Sequence, residues 1–140
     1  MFLAEDEEER RSPWLKILLI VLAALMLHRF AWIYWPSQGE VTFHVQETGE
    51  TTRETLTSEE TVEVKKLLAG HIRWPEWLYG YPACGFGEMF SITIDGVCYM
   101  PAWDGCTMVA AKDILGTCKY MDVTEQDKEI LVEIITSRGE

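Results

Sequence analysis

The chain is poor in the residues that most catalytic and metal chemistry needs. Its four cysteines all lie at or beyond position 84, and no C-x-x-C occurs. Wide cysteine spacing without such pairs points away from a structural zinc site and from a redox-active dithiol. Histidine is limited to His28, His44 and His71. No Ser-His-Asp, Cys-His or H-E-x-x-H pattern can be assembled from them. Gly85-Phe86-Gly87 lacks the lysine and following helix of a phosphate-cradling loop. Asp95 and Asp104 each precede glycine, which marks them as turn residues rather than a carboxylate pair. Basic charge is scarce too: 12 Lys and Arg against 23 Asp and Glu leave a net charge of −11. Residues 37–140 hold 18 of those acids and 8 of the bases. A surface of that sign repels nucleic acid and anionic leaflets, so neither is an expected partner. The sequence therefore predicts no enzyme, no cofactor and no metal site.

What the chain does have is one long apolar run. From Trp14 to Trp35 it reads W-L-K-I-L-L-I-V-L-A-A-L-M-L-H-R-F-A-W-I-Y-W. That is close to the ~20 residues a helix needs to cross a bilayer. Arg10, Arg11 and Lys16 precede the run, and after Arg29 the next basic residue is Arg53. Basic flanks stay cytoplasmic, so the N-terminus is expected inside and the remainder outside. Trp14 at one end and Trp32, Tyr34 and Trp35 at the other suit the two interfacial belts. Arg29 lies near enough to the end to snorkel. The competing reading is the apolar core of a cleaved signal peptide, but no small-x-small site follows Leu27. The expected organisation is a charged, disordered cytoplasmic tail at 1–12, a transmembrane helix at 13–36 and an extracytoplasmic domain at 37–140.

Beyond the breaker-rich joint Pro36-Ser37-Gln38-Gly39, the domain reads as α+β. Val41, Phe43 and Val45 alternate with polar residues, Thr48-Gly49-Glu50 turns, and the Thr-rich stretch Thr51 to Leu56 returns, which predicts a hairpin. Thr57 and Glu60 have capping-box spacing. Val64, Leu67, Leu68 and His71 then recur at helical spacing, with Gly70 as the stop, predicting a helix over 58–69. Phe90, Ile92 and Ile94 alternate up to Asp95-Gly96, a two-residue hairpin signal, and Val97 and Tyr99 continue beyond it. In that register one face carries Phe90, Ile92, Ile94, Val97 and Tyr99, and the other Ser91, Thr93 and Cys98. Asp104-Gly105 repeats the turn signal, Cys106 to Ala110 reads as the next strand, and Thr117 to Met121 as a last short one. Thr124 caps a closing helix with Ile130, Leu131, Ile134 and Ile135 in one stripe and Arg138-Gly139 at its end. The order is ββα, an antiparallel meander, then α, with helices on one face of the sheet.

Four cysteines outside the cytoplasm suggest two disulfides. If Cys106 opens a strand of the meander, Cys98 and Cys106 face opposite sides and do not pair. Of the two pairings left, Cys84–Cys106 with Cys98–Cys118 is preferred, and the other stays open. The irregular stretch from Ile72 to Gly87 carries Trp74, Trp77, Tyr79 and Tyr81, aromatic residues of the kind enriched at interfaces. These four form the expected contact surface for a protein partner, while residues 14–35 take the lipid bilayer as theirs.

At Cys84-Gly85-Phe86 and at Gly96-Val97-Cys98-Tyr99-Met100-Pro101-Ala102-Trp103-Asp104-Gly105-Cys106 the chain resembles small uncharacterised extracytoplasmic domains of Firmicutes-type bacteria. These have a C-G-F segment, a G-x-x-Y-Y-P-A-like strand, D-G-C and a closing amphipathic helix. Met100 and Trp103 depart from that pattern. The resemblance spans about residues 40–138 and implies location and fold rather than an activity. It also implies that Cys84 and Cys106 are the recurrent pair, with Cys98 and Cys118 an addition. The functional expectation is a membrane-anchored binding module. The alternatives are a regulatory or sensor subunit of a larger membrane complex, with Arg29 pairing an acid in another helix, and a secreted inhibitor-like domain after signal cleavage.

Overall fold

A computed structural model describes residues 2–45, 47–79 and 84–137, with the backbone alone for 2–12 and 79. The chain divides into two compact units, Met1–Trp35 and Pro36–Glu140.

The first unit is a single helix, α1 (Phe2–Tyr34). Its stretch Pro13–Tyr34 has 22 residues and a mean hydropathy of 2.0, long and apolar enough to cross a membrane. At 1.5 Å per residue it extends about 33 Å. The helix begins earlier than expected, because the segment read as a disordered tail is helical from Phe2 onward. Leu, Ala, Glu and Arg are strong helix formers, and acids near the start suit the positive end of the helix dipole. Pro13 lies within the helix and removes one rung of its hydrogen-bond ladder.

The second unit is α+β. Its elements are β1 (Glu40–His44), β2 (Thr51–Thr55), α2 (Ser58–Ala69), β3 (Trp74–Pro75), α3 (Glu76–Tyr79), β4 (Phe90–Ile94), β5 (Val97–Pro101), β6 (Met108–Lys112), β7 (Cys118–Asp122) and α4 (Glu125–Ser137). The seven strands form one sheet in the order β2-β1-β4-β5-β6-β7-β3, with every neighbouring pair antiparallel. The β4–β5 hairpin has the expected register, Ile92 opposite Tyr99 and Ile94 opposite Val97. Asp95 and Gly96 both take positive φ, 52° and 78°, as a two-residue primed turn requires. Asp104-Gly105 is different: the connection from Pro101 to Met108 is a six-residue loop, so β6 starts two residues later than the sequence suggests. The stretch left without periodicity contributes β3, which adds a seventh strand beside β7.

Both long helices of this unit start as the sequence predicts. Thr57 and Glu60 form a reciprocal capping box on α2. Thr124 Oγ1 accepts the Asp127 N–H at 3.1 Å on α4. Gly70 ends α2 with an ordinary right-handed φ of −72°, so that end does not depend on glycine's freedom. Buried residues on α2 are Thr61, Val64, Lys65 and Leu68, and on α4 Leu131 and Ile135. α4 packs on β1, β4 and β5. On the helix-covered side the register aligns Val41, Ile92, Tyr99, Ala111, Val109 and Met121, all buried. The other side carries a second cluster of Met100, Met108, Ala110 and Tyr120.

Candidate functional site

The second cluster is covered by a loop rather than a helix. Cys84, Phe86, Cys98, Cys106 and Cys118 pack against it, and the Phe86 ring lies 5.8 Å from that of Tyr120. Two short segments close it. Cys84 and Cys106 are joined by a disulfide with Cα atoms 6.0 Å apart. The Trp103 N–H donates to the Gly85 carbonyl at 3.0 Å. The Gly85 N–H donates to Asp104 Oδ2 at 2.8 Å, and Asp104 Oδ1 accepts the Cys106 N–H at 3.0 Å. These two N–H groups, Cys106 first, hold the Asp104 carboxyl below its ordinary range. The Trp103 indole lies across the backbone of Gly85 and Gly87, where a Cβ on either would collide with it. Glycine is thus demanded by close approach, not by φ. From α4 the Lys128 ammonium donates to the carbonyl oxygens of Asp104 and Cys106. Cys84-Gly85-Phe86-Gly87 and Trp103-Asp104-Gly105-Cys106 are therefore one clamp. The Asp104 carboxylate and the two sulfurs lie within 4.8 Å, but sulfurs spent in a disulfide are not the thiolates a metal would need.

Beside the clamp opens a groove of ≈ 1050 Å³, bounded by the end of β1, the start of β4, the 102–107 loop and the first turns of α4. Phe43 and Phe90 meet edge to face in it, centroids 5.9 Å apart, and Val45, Ala102 and Val132 extend the apolar lining. Met89 and Trp103 border it, the latter 65% exposed. Glu47, Asp104, Glu125 and Glu129 supply four carboxylates around it. Among the described lining residues the one lysine is Lys128, already held by two clamp carbonyls, and His44 Nδ1 lies 3.2 Å from Thr51 Oγ1. An apolar lining with an acidic border selects a ligand carrying both apolar groups and positive charge.

Sequence reasoning did not single out this groove. Phe43 and Phe90 read simply as inward strand residues, and Trp103 as a departure from a familiar motif. The available signal was that both phenylalanines sit at strand ends, where a sheet stops covering its own side chains.

The other candidate residues fall elsewhere. Cys98 and Cys118 are not bonded to each other. Cys98 lies opposite Lys112 across β5–β6, and Lys112 opposite Cys118 across β6–β7. Two strand spacings of about 4.8 Å separate them, beyond the ~7 Å Cα limit of a disulfide. The opposite-face argument for Cys98 and Cys106 also fails, since both border the same cluster and Cys106 precedes the strand. Burial raises the Cys118 thiol above its ordinary value, which makes it a poorer nucleophile at neutral pH. Lys112 is ion-paired with Glu88 at 2.7 Å, fastening the 84–89 loop to β6 and drawing the Glu88 carboxyl down.

Asp95 and Asp104 sit at opposite ends of β5 and do not converge. His71 Nε2 lies 2.7 Å from Asp127 Oδ2, tying the end of α2 to the first turn of α4. Lys65, missed because α2 was read with Leu67 inward, is fully buried and sits 3.8 Å from Asp95. Arg73 lies 5.3 Å from the ring centre of buried Tyr99. Of the expected contact surface, Trp74 is at the β3 edge, 39% exposed, and Trp77 is 82% exposed on α3. The side chain of Tyr79 and all of Tyr81 lie outside the described residues. No protein-family model, curated protein or solved structure matches the chain.

Proposed function

We propose that the chain is a single-pass membrane protein, N-terminus in the cytoplasm, that displays its α+β unit on the oxidising side as a peptide-binding module. The ligand is a basic segment of a partner protein that places an apolar side chain between Phe43, Phe90 and Val132 and its positive charges beside Glu47, Glu125 and Glu129. The observation that carries this reading is the groove, which among the described residues has an apolar lining, four carboxylates and a single lysine, itself engaged. The apolar length of α1 supports the anchor. The basic residues ahead of the apolar run support the orientation. The Cys84–Cys106 bond suits a compartment outside the cytoplasm.

The test uses the full chain in nanodiscs and an array of Lys/Arg-rich peptides bearing Leu, Phe or Trp, with Asp/Glu-rich counterparts of the same apolar pattern. Basic peptides should bind and shift the amide signals of 43–47 and 125–132, weakening as salt rises. Glu125→Gln with Glu129→Gln should weaken them, and Val132→Asp should abolish binding. Equal binding of the acidic series, or shifts confined to Trp74 and Trp77, would remove the groove from the account.

A further inference from the structure

We propose that the α+β unit makes a second contact with the bilayer through the Asp113–Thr117 turn and α3, which dip apolar side chains into the outer leaflet. This rests on the anchored reading given above.

The argument starts from what the turn needs. Asp113 Oδ1 accepts the Thr117 N–H at 2.9 Å, the Gly116 N–H donates to the Asp113 carbonyl at 3.0 Å, and Gly116 takes a φ of +84°. Asp113 and Gly116 thus satisfy the turn by themselves. Ile114 and Leu115 between them are 85% and 90% exposed. The turn's own hydrogen bonds do not require large aliphatic groups there, and two adjacent ones left mostly in water are unfavourable.

The polarity of the sheet says which end this is. The chain comes from α1 through residues 36–39 and starts β1 at Glu40, which lies opposite Thr93 and Thr55. Gly39 sits against Ile94, next to the Asp95-Gly96 turn. Ile114 rests on Gly96 itself, where an added Cβ would come within 2.9 Å of its Cδ1. Lys112 opposite Cys118 closes β6–β7 just before the aliphatic turn. β3 advances from Trp74 opposite Tyr120 to Pro75 opposite Lys119, toward the same end, and α3 follows it at once in contact with β7, with Trp77 and Leu78 82% and 53% exposed. The arriving chain and the four exposed apolar groups therefore share one end of the sheet, and the peptide groove lies at the other.

That coincidence selects lipid as the occupant. From Trp35 to Glu40 the chain reaches at most about 18 Å when extended, so in an anchored chain this tether is short enough for the leaflet to be within reach. Tryptophan and aliphatic side chains at that depth match the interfacial zone. The charges nearby are mixed, with Glu76 and Asp113 beside Lys112 and Lys119, so the contact is apolar and needs no anionic headgroup.

The experiment places the full chain in phosphatidylcholine nanodiscs containing a gadolinium-chelate lipid and records amide signals. The signals of 77–78 and 113–117 should be bleached, and those of 48–50, at the far end, retained. Ile114→Ser with Leu115→Ser should restore 113–117 while leaving the spectrum of β1 and β4 folded. Bleaching that is equal at both ends, absent at 113–117, or unchanged in the double variant overturns the contact while leaving the anchor intact. Absence of bleaching together with dimeric nanodisc occupancy assigns the tips to a second copy and also overturns it. Failure of the chain to enter nanodiscs removes the anchor and the contact together.

Discussion

On one side of the sheet, Leu131 and Ile135 of α4 and Val64 and Leu68 of α2 close the core by aliphatic burial. On the other, the cover is an irregular loop held by a disulfide, three backbone or carboxylate hydrogen bonds and a tryptophan lying on two glycines. The first side is stable because much apolar area leaves water. The second side buries Met100, Met108, Ala110 and Tyr120 under an irregular cover, and restricts that cover covalently. The helix side should therefore control global unfolding, and the clamp side should open locally.

The strongest test of that division is on the helix side. Ile135→Ala or Leu131→Ala leaves a cavity beneath α4 and should cost about 2–5 kcal/mol, seen as a lowered urea midpoint of the full chain in micelles with one cooperative transition. On the clamp side, Cys84→Ser with Cys106→Ser should cost about 2–4 kcal/mol. Hydrogen exchange should speed up in 84–89 and 102–107 first, while β1 and α4 keep their protection. Equal acceleration everywhere would show that the two sides are one cooperative unit. Gly85→Ala forces the Trp103 indole aside and should cost about 1–3 kcal/mol, and adding Trp103→Ala should recover most of it. A loss unaffected by the second substitution would place the need for glycine elsewhere.

Acid should loosen the clamp side. Asp104 and Glu88 both have carboxyls lowered from ordinary values of 3.8 and 4.5, by the Cys106 and Gly85 N–H groups and by Lys112 respectively. A carboxyl lowered on folding stabilises above its unfolded pKa, and that contribution disappears as pH falls through the folded one. Both groups are exposed, so the effect is small: faster exchange at 84–89 below about pH 4.5, abolished in Asp104→Asn with Glu88→Gln.

The same contrast explains how legible the chain was. Helix starts, the β4–β5 register and the Asp95-Gly96 turn follow from local chemistry that each segment carries by itself, and the α+β layout followed from them. The clamp depends on residues 84–87 meeting 103–106, and no periodicity encodes such a meeting. Asp104 looked like a hairpin residue because Asp-Gly has that local preference, yet its carboxylate serves Gly85 19 positions away. Cys98 and Cys118 invited pairing by count alone, and only the placement of β6 between them rules it out. Lys65 escaped because a lysine stem packs like an aliphatic side chain once Asp95 meets its ammonium. The groove was invisible because it forms where four segments end together.

The central claim is that the α+β unit stands outside the cytoplasm with its clamp oxidised. The direct measurement is membrane-impermeant maleimide labelling of intact cells carrying the full chain with Thr48→Cys in a Cys98→Ser, Cys118→Ser background. The account predicts that Thr48→Cys is labelled without lysis and that Cys84 and Cys106 are labelled only after reduction. Labelling of Thr48→Cys only after lysis, or recovery of Cys84 and Cys106 as thiols from cells quenched with acid, would contradict it.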